Sequence, residues 1–242
     1  MPHFYVKPEN INNNIFSMQE EQAHYLFNVR RFKQNDEIML FDGKGNSYKA
    51  KIDSINKNKV SGHILSSSYK MPNFILNLYT CIPKGDKFEW LIEKCAEIGV
   101  FKIIPINTKR SIITNISKNK LERYKKISIS ASSQCGRNDI MQIEESINFK
   151  EACINTTKDK NFITILPWEK ESSNTLKSLI PKSKPNGANI LIGPEGGFEN
   201  EEVEFARSLN IRTLVLGENI LRTETAAIAA SILAIQFING TI

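Results

Sequence analysis

Cysteine is sparse and shows no pairing pattern. Cys81, Cys95, Cys135 and Cys153 are scattered, with no CxxC spacing and no histidine beside them. Zinc frameworks and disulfide scaffolds need such spacing, so the four read as reduced, buried thiols of a cytoplasmic protein, and no metal is expected. No apolar run approaches the roughly 20 residues that a bilayer-spanning helix requires, so no membrane partner is expected. The opening MPHFYVKPEN lacks a basic segment followed by an apolar one, and a secretory signal is not expected. Glycine (12) and proline (9) are too few for a collagen-like chain, while 40% hydrophobic residues exclude a disordered one. What remains is an ordinary globular chain of 242 residues, long enough for one large domain or two small ones.

Charge is present in excess of one sign, and unevenly. Residues 1–70 carry 10 basic and 7 acidic side chains, a net of +3; residues 71–137 carry 12 and 5, a net of +7; residues 138–242 carry 10 and 14, a net of −4. A basic middle beside an acidic end suits one face for a polyanion and a second face for another ligand; solvation of a lysine-rich surface is the plainer alternative.

Residues 1–70 read as short strands and turns with one helix. Glu37–Phe41 is a strand that ends at Asp42-Gly43-Lys44-Gly45-Asn46, a strong turn signal, and Tyr48–Ile52 alternates as a half-buried strand does. Val60–Leu65 is a further strand, Met18–Phe32 has helical spacing, and Ser66–Pro72 is the expected linker. From Phe74 strands alternate with helices: strands over 74–82, 101–106, 162–166, 189–192 and 213–216, helices over 87–99, 118–133, 199–209 and 224–238. This alternation argues an α/β fold with a mostly parallel sheet, so the expected domains are 1–70 and 71–242.

Two segments carry the chemistry. Leu191-Ile192-Gly193-Pro194-Glu195-Gly196-Gly197-Phe198 follows a strand and opens an acidic helix. Glycines there allow close backbone approach to a ligand. The segment is neither a Walker A loop nor a dinucleotide GxGxxG, and its carboxylates favour a ligand bearing positive charge or hydroxyls over phosphate. The plain alternative is a tight turn before a helix. The second segment, Leu214 to Ala226, places Arg222 between a leucine-rich turn and a helix that Thr223 could cap. Arg222 either serves a ligand or pairs with Glu218 or Glu224.

Taken together, IGPEGGFENEE and LGENILRTETAAIAA resemble the knotted S-adenosylmethionine-binding end of SPOUT-class methyltransferases. More narrowly they resemble the bacterial family that methylates N3 of a uridine in 16S ribosomal RNA (RsmE-type). HYLFNVRRFKQNDEIMLFDGKGNSYKAKI is similar to that family's PUA-like N-terminal barrel. KGDKFEWLIEKCAEIGVFKIIPINTKRSI resembles its first helix and second strand, and SASSQCGRNDI its Gln-Cys/Ser-Gly-Arg segment.

The resemblance implies an α/β SPOUT domain with a C-terminal trefoil knot after a small PUA-like β-barrel. It implies S-adenosyl-L-methionine as cofactor, with Leu166, Ile192, Gly193, Glu195, Gly196 and Leu216 beside it, together with Gly217, Ile220, Leu221, Arg222, Thr223 and Ala226. It further implies a homodimer whose interface uses the closing helix, and a 16S rRNA or small-subunit substrate. Uridine N3 bears a proton, so a base or a cation that stabilises the anion is needed. Under the resemblance Arg222 is the candidate cation; no histidine lies near either loop, so a histidine base is not expected, and Glu195 is a candidate base or merely an organiser of its loop. Arg30, Arg31, Lys84, Lys87, Lys94, Arg110 and Arg137 are the expected RNA phosphate contacts. A SPOUT enzyme acting on ribose 2′-OH or another base, or a non-catalytic RNA-binding assembly factor, are the alternatives.

Overall fold

A computed structural model describes residues 3–175 and 183–238, which divide into two units: 3–71 with 129–140, and 72–128 with 141–238. The first unit holds a six-stranded sheet in the order β1-β4-β5-β6-β3-β2. Its strands are β1 (His3–Tyr5), β2 (Ile11–Asn12), β3 (Ile15–Gln19), β4 (Glu37–Phe41), β5 (Asn46–Ile55) and β6 (Lys59–Tyr69). All pairings are antiparallel except β1 with β4. Alternate residues of each strand point inward, so Phe16, Met18, Ile38, Leu40, Ala50, Ile52 and Val60 form one core with Leu26. The sheet bends at two register shifts between β5 and β6. Gly62 sits in that ladder because a Cβ there would lie 2.0 Å from the Lys51 carbonyl oxygen. The turn after β4 is held by Asp42, which accepts from the backbone N–H of Lys44 (2.8 Å) and Asn46 (3.1 Å).

The second unit is built on a parallel sheet in the order β10-β8-β7-β12-β11-β13, with β9 beside β8. The strands are β7 (Ile75–Thr80), β8 (Lys102–Asn107), β9 (Gln142–Ile143), β10 (Ile147–Asn148), β11 (Phe162–Pro167), β12 (Gly187–Ile192) and β13 (Arg212–Leu214). Every residue of β12 is buried, as a central parallel strand must be. Helices α1 (Glu20–His24), α2 (Lys87–Ile98), α3 (Lys118–Cys135), α4 (Phe149–Thr156), α5 (Asn200–Ser208) and α6 (Thr223–Leu233) complete the described elements; α1 and α6 each run on into a π-helical turn. Phe149, Cys153, Val203 and Ala206 of α4 and α5 pack with Tyr79, Leu166 and Leu191. On the other side, α6 packs against α2, β7 and β12. A polar row crosses the buried centre: Asn77 Nδ2 donates to Asn189 Oδ1 at 3.0 Å, in register on β7 and β12.

Several sequence expectations need correction. The first helix starts at Glu20, because Met18 belongs to β3 and pairs with Val60. Ser66–Tyr69 is not linker but the end of β6, paired with Asn46–Lys49. The strand expected over 213–216 ends at Leu214. Cys135 is exposed on the last turn of α3, whereas Cys81, Cys95 and Cys153 are buried. Strands β1 to β3, β9 and β10 and helix α4 have no strong period of their own and lie outside the sequence expectations.

Candidate active site

The carboxyl ends of β11, β12 and β13 release three loops that enclose a cleft of about 260 Å³. Ligands in open α/β sheets bind at such strand ends. The loop after β12 runs through Gly193-Pro194-Glu195-Gly196-Gly197 and turns into α5, with Gly197 at φ +69°. The loop after β13 contributes Leu216, Gly217, Ile220 and Leu221, and the third supplies Pro167, Trp168 and Glu169.

Ten of the twelve residues assigned to the cofactor line this cleft: Ile192, Gly193, Glu195, Gly196, Leu216, Gly217, Ile220, Leu221, Thr223 and Ala226. Leu166 lies one residue behind the wall, fully buried in the core. Arg222 stands exposed as the N-cap residue of α6, and its guanidinium makes no hydrogen bond or ion pair among the described residues. Pro194, Gly197, Phe198, Val215 and Asn219, within the two segments but not assigned singly, also line it, whereas Pro167, Trp168 and Glu169 lie outside both segments and were missed. Trp168 and Glu169 follow β11 directly, yet no glycine or turn signal there marked a ligand edge.

Local contacts hold the two loops. Thr223 is not a cap; its hydroxyl donates to the Gly193 carbonyl at 3.1 Å and so joins the start of α6 to the glycine-rich turn. Glu195 is exposed and accepts from the Lys84 backbone N–H at 3.1 Å, which ties its loop to the segment before α2. Arg110 donates to Glu199 at 2.9 Å and to the Gly196 carbonyl. Glu199 and Glu202 form a capping box on α5. Glu224 is buried, and its Oε1 pairs with Lys87 Nζ at 3.0 Å. Burial alone would raise its pKa; the hydrogen bonds from its own backbone N–H and from Lys87, with the charges of Lys87 and Arg222, outweigh burial and hold it below the usual range.

The basic residues assigned to RNA separate into two groups. Arg30, Arg31 and Lys84 have exposed side chains, with the Arg30 guanidinium 5.9 Å from the Tyr25 ring centre. Lys87, Lys94, Arg110 and Arg137 instead have carboxylate partners: Glu224, Glu93 with Glu97, Glu199 and Asp139. The Arg137–Asp139 pair is almost wholly buried.

Residues 70–235 match the family described as RNA methyltransferase domain, and residues 19–65 match the RNA methyltransferase PUA domain. The ribosomal RNA small subunit methyltransferase E of Bacillus subtilis is 32% identical over 223 residues, 89% of this chain and 87% of that protein. The chain belongs to this methyltransferase family. The family's Rickettsia conorii member is 32% identical over 222 residues, covering 90% of this chain and 88% of its own. The crystal structure of the Neisseria gonorrhoeae member, bound to S-adenosyl methionine, superposes with a TM-score of 0.84 at 29% identity and covers 97% of both chains. The resemblance of the two loop segments to this family therefore holds, as does the α/β fold with an N-terminal PUA domain.

Proposed function

We propose that the protein is an S-adenosylmethionine-dependent methyltransferase acting on N3 of a uridine in 16S rRNA, working in the cytoplasm as a homodimer. The observation that carries this reading is the cleft, in which two sequence-distant loops meet at the strand ends of a chain belonging to this family. The residues fit the cofactor. Leu216, Ile220, Leu221 and Ala226 offer an apolar slot for adenine, and a Cβ on Gly217 would meet only open space. When bound, S-adenosylmethionine supplies an electrophilic methyl group on its sulfonium. The return of the chain from β13 at the sheet edge to α6 against β7 and β12 supports the knotted arrangement implied by the resemblance.

Catalysis then rests on positioning and on charge. Thr223 fixes the start of α6, with Arg222 as its N-cap residue, against Gly193. The Arg222 guanidinium stabilises the uridine anion as the N3 proton leaves, and Glu195 orders the loop. Arg30, Arg31 and Lys84 are the phosphate contacts with uncommitted side chains. Trp90 on α2 and Ile232 on α6 are 48% and 43% exposed on helices that pack together, a surface suited to a second copy.

The test is methyl transfer to small-subunit RNA from cells lacking this protein, followed by nucleoside analysis. The expected product is 3-methyluridine. A 2′-O-methylated nucleoside or a methylcytidine would reject the uridine-N3 reading, and cofactor binding without turnover on any RNA would reject the enzyme.

A further inference from the structure

Among the described residues, the walls of the cleft carry negatively charged side chains only. Among these residues Glu169 and Glu195 are the charged side chains of its lining, with Arg110 lying against Gly196 from outside and committed to Glu199, although the chain as a whole has a net charge of +6. Four neighbouring carboxylates have cationic partners, Glu171 with Arg207, Glu199 with Arg110, Glu201 with Lys109 and Glu224 with Lys87, whereas Glu218, beside the cleft but outside its lining, has none among the described residues. Glu169 makes no hydrogen bond or ion pair among the described residues. It lies over Gly197, where a Cβ would come within 2.8 Å of its Oε1, so the missing side chain gives that carboxylate its place. Glu195 accepts only from a backbone N–H, a neutral donor. The N-terminus of α5 would set partial positive charge nearby, but Glu199 and Glu202 already cap it.

We propose that Glu169 and Glu195 make this cleft discriminate by charge, holding the cationic methyl donor more tightly than the neutral product that methyl transfer leaves behind. The inference rests on the cleft being the cofactor site. In the reaction the S–CH3 bond of the sulfonium breaks, its electron pair stays on sulfur, and a new N3–CH3 bond forms as the N3 proton departs to solvent. S-adenosylmethionine thereby loses one positive charge and becomes S-adenosylhomocysteine, with the same adenosine and amino acid parts. Any interaction with those shared parts is the same before and after transfer; the field of two unneutralised carboxylates is not. Both side chains are exposed, so each acts through a nearly aqueous dielectric, in which one unit charge roughly 6 Å from another changes the ratio of the two affinities about threefold. Discrimination of this kind favours exchange of product for fresh donor after each turnover.

The test is calorimetry on the whole protein with three ligands: S-adenosylmethionine, S-adenosylhomocysteine, and the analogue whose S–CH3 is replaced by a carbon bearing a protonated amine. Glu169→Gln and Glu195→Gln keep side-chain shape, and the second keeps an acceptor for Lys84, while each deletes one charge. The donor-to-product affinity ratio is expected to fall about threefold in each variant, and the amine analogue should follow the donor. In the wild type the ratio should shrink as salt rises through the range where the Debye length drops below about 8 Å. A ratio unchanged in the variants and flat against salt would overturn the inference, as would an analogue that behaves like the neutral product. If the wild type binds none of the three ligands, the cofactor assignment falls, and this inference with it.

Discussion

Arg222 owes its place to the backbone. Its φ and ψ of −66° and 154° leave the helix, its carbonyl accepts the Ala226 N–H at 2.8 Å, and its side chain stays exposed. In the proposed reaction a cation there would interact with the uridine anion more than with neutral uridine, so its effect would belong to the transition state. Arg222→Ala is expected to lower kcat by on the order of 10²–10³, with a much smaller change in cofactor affinity. Raising pH should partly rescue it, since solvent then helps to remove the N3 proton, and Arg222→Lys should restore little because it lacks the planar fork. The stability role once open to Arg222, pairing with Glu224, is filled by Lys87. Melting temperature should therefore stay near that of the wild type; a folded Arg222→Ala enzyme with full turnover would remove the catalytic role.

The edge of the parallel sheet depends on one buried carboxylate. Glu171, just beyond β11, accepts from the Thr213 hydroxyl on β13 at 2.6 Å, from Arg207 on α5 at 3.1 Å, and from the Ser173 N–H and hydroxyl. The Thr213 and Ser173 hydrogen bonds outweigh burial and hold its pKa down to about 2 from an ordinary 4.5. A carboxyl whose folded value is depressed adds stability that is complete above its unfolded value and lost as pH falls toward the folded one. That window here runs from about 4.5 down to about 2. Glu171→Gln should cost about 2 kcal/mol at neutral pH by weakening charge-assisted hydrogen bonds. Thermal melts at pH 7 and below 4 provide the check: the gap between wild type and variant should narrow on acidification, and a constant gap would reject the assignment.

For the whole molecule, the basic excess does not translate directly into an RNA surface. Lys87, Lys94, Arg110 and Arg137 are paired with carboxylates, which leaves Arg30, Arg31 and Lys84 as the proposed phosphate contacts with uncommitted side chains. Reversing Arg30 and Arg31 to Glu should weaken RNA binding and reduce the slope of log affinity against log salt by about 0.7–0.9 per lost contact. Cofactor affinity should remain at the wild-type value, and an unchanged salt slope would exclude this pair from the RNA path. Self-association can be probed separately. A Trp90→Glu, Ile232→Glu double variant should elute and scatter light as a monomer, whereas an undisturbed dimer would move the interface elsewhere.

What the sequence determined by itself was what depends on neighbours along the chain. Apolar runs marked β7, β8, β11 and β12; Gly99, in the left-handed region at φ +101°, marked the end of α2; and two glycine-bearing loops after strands marked most of the cleft. Each is a local signal of period, cap or turn. Tertiary structure alone decided how distant groups meet. It set the Thr223 hydroxyl on a carbonyl 30 residues away, joined Lys87 to Glu224, and assigned residues 129–140 to the first unit. It also brought Trp168 and Glu169 into the cleft wall from a strand end that carries no turn signal. An ion pair or a cavity wall has no period in the sequence. It exists only once the parallel strands are in register and their carboxyl ends lie side by side.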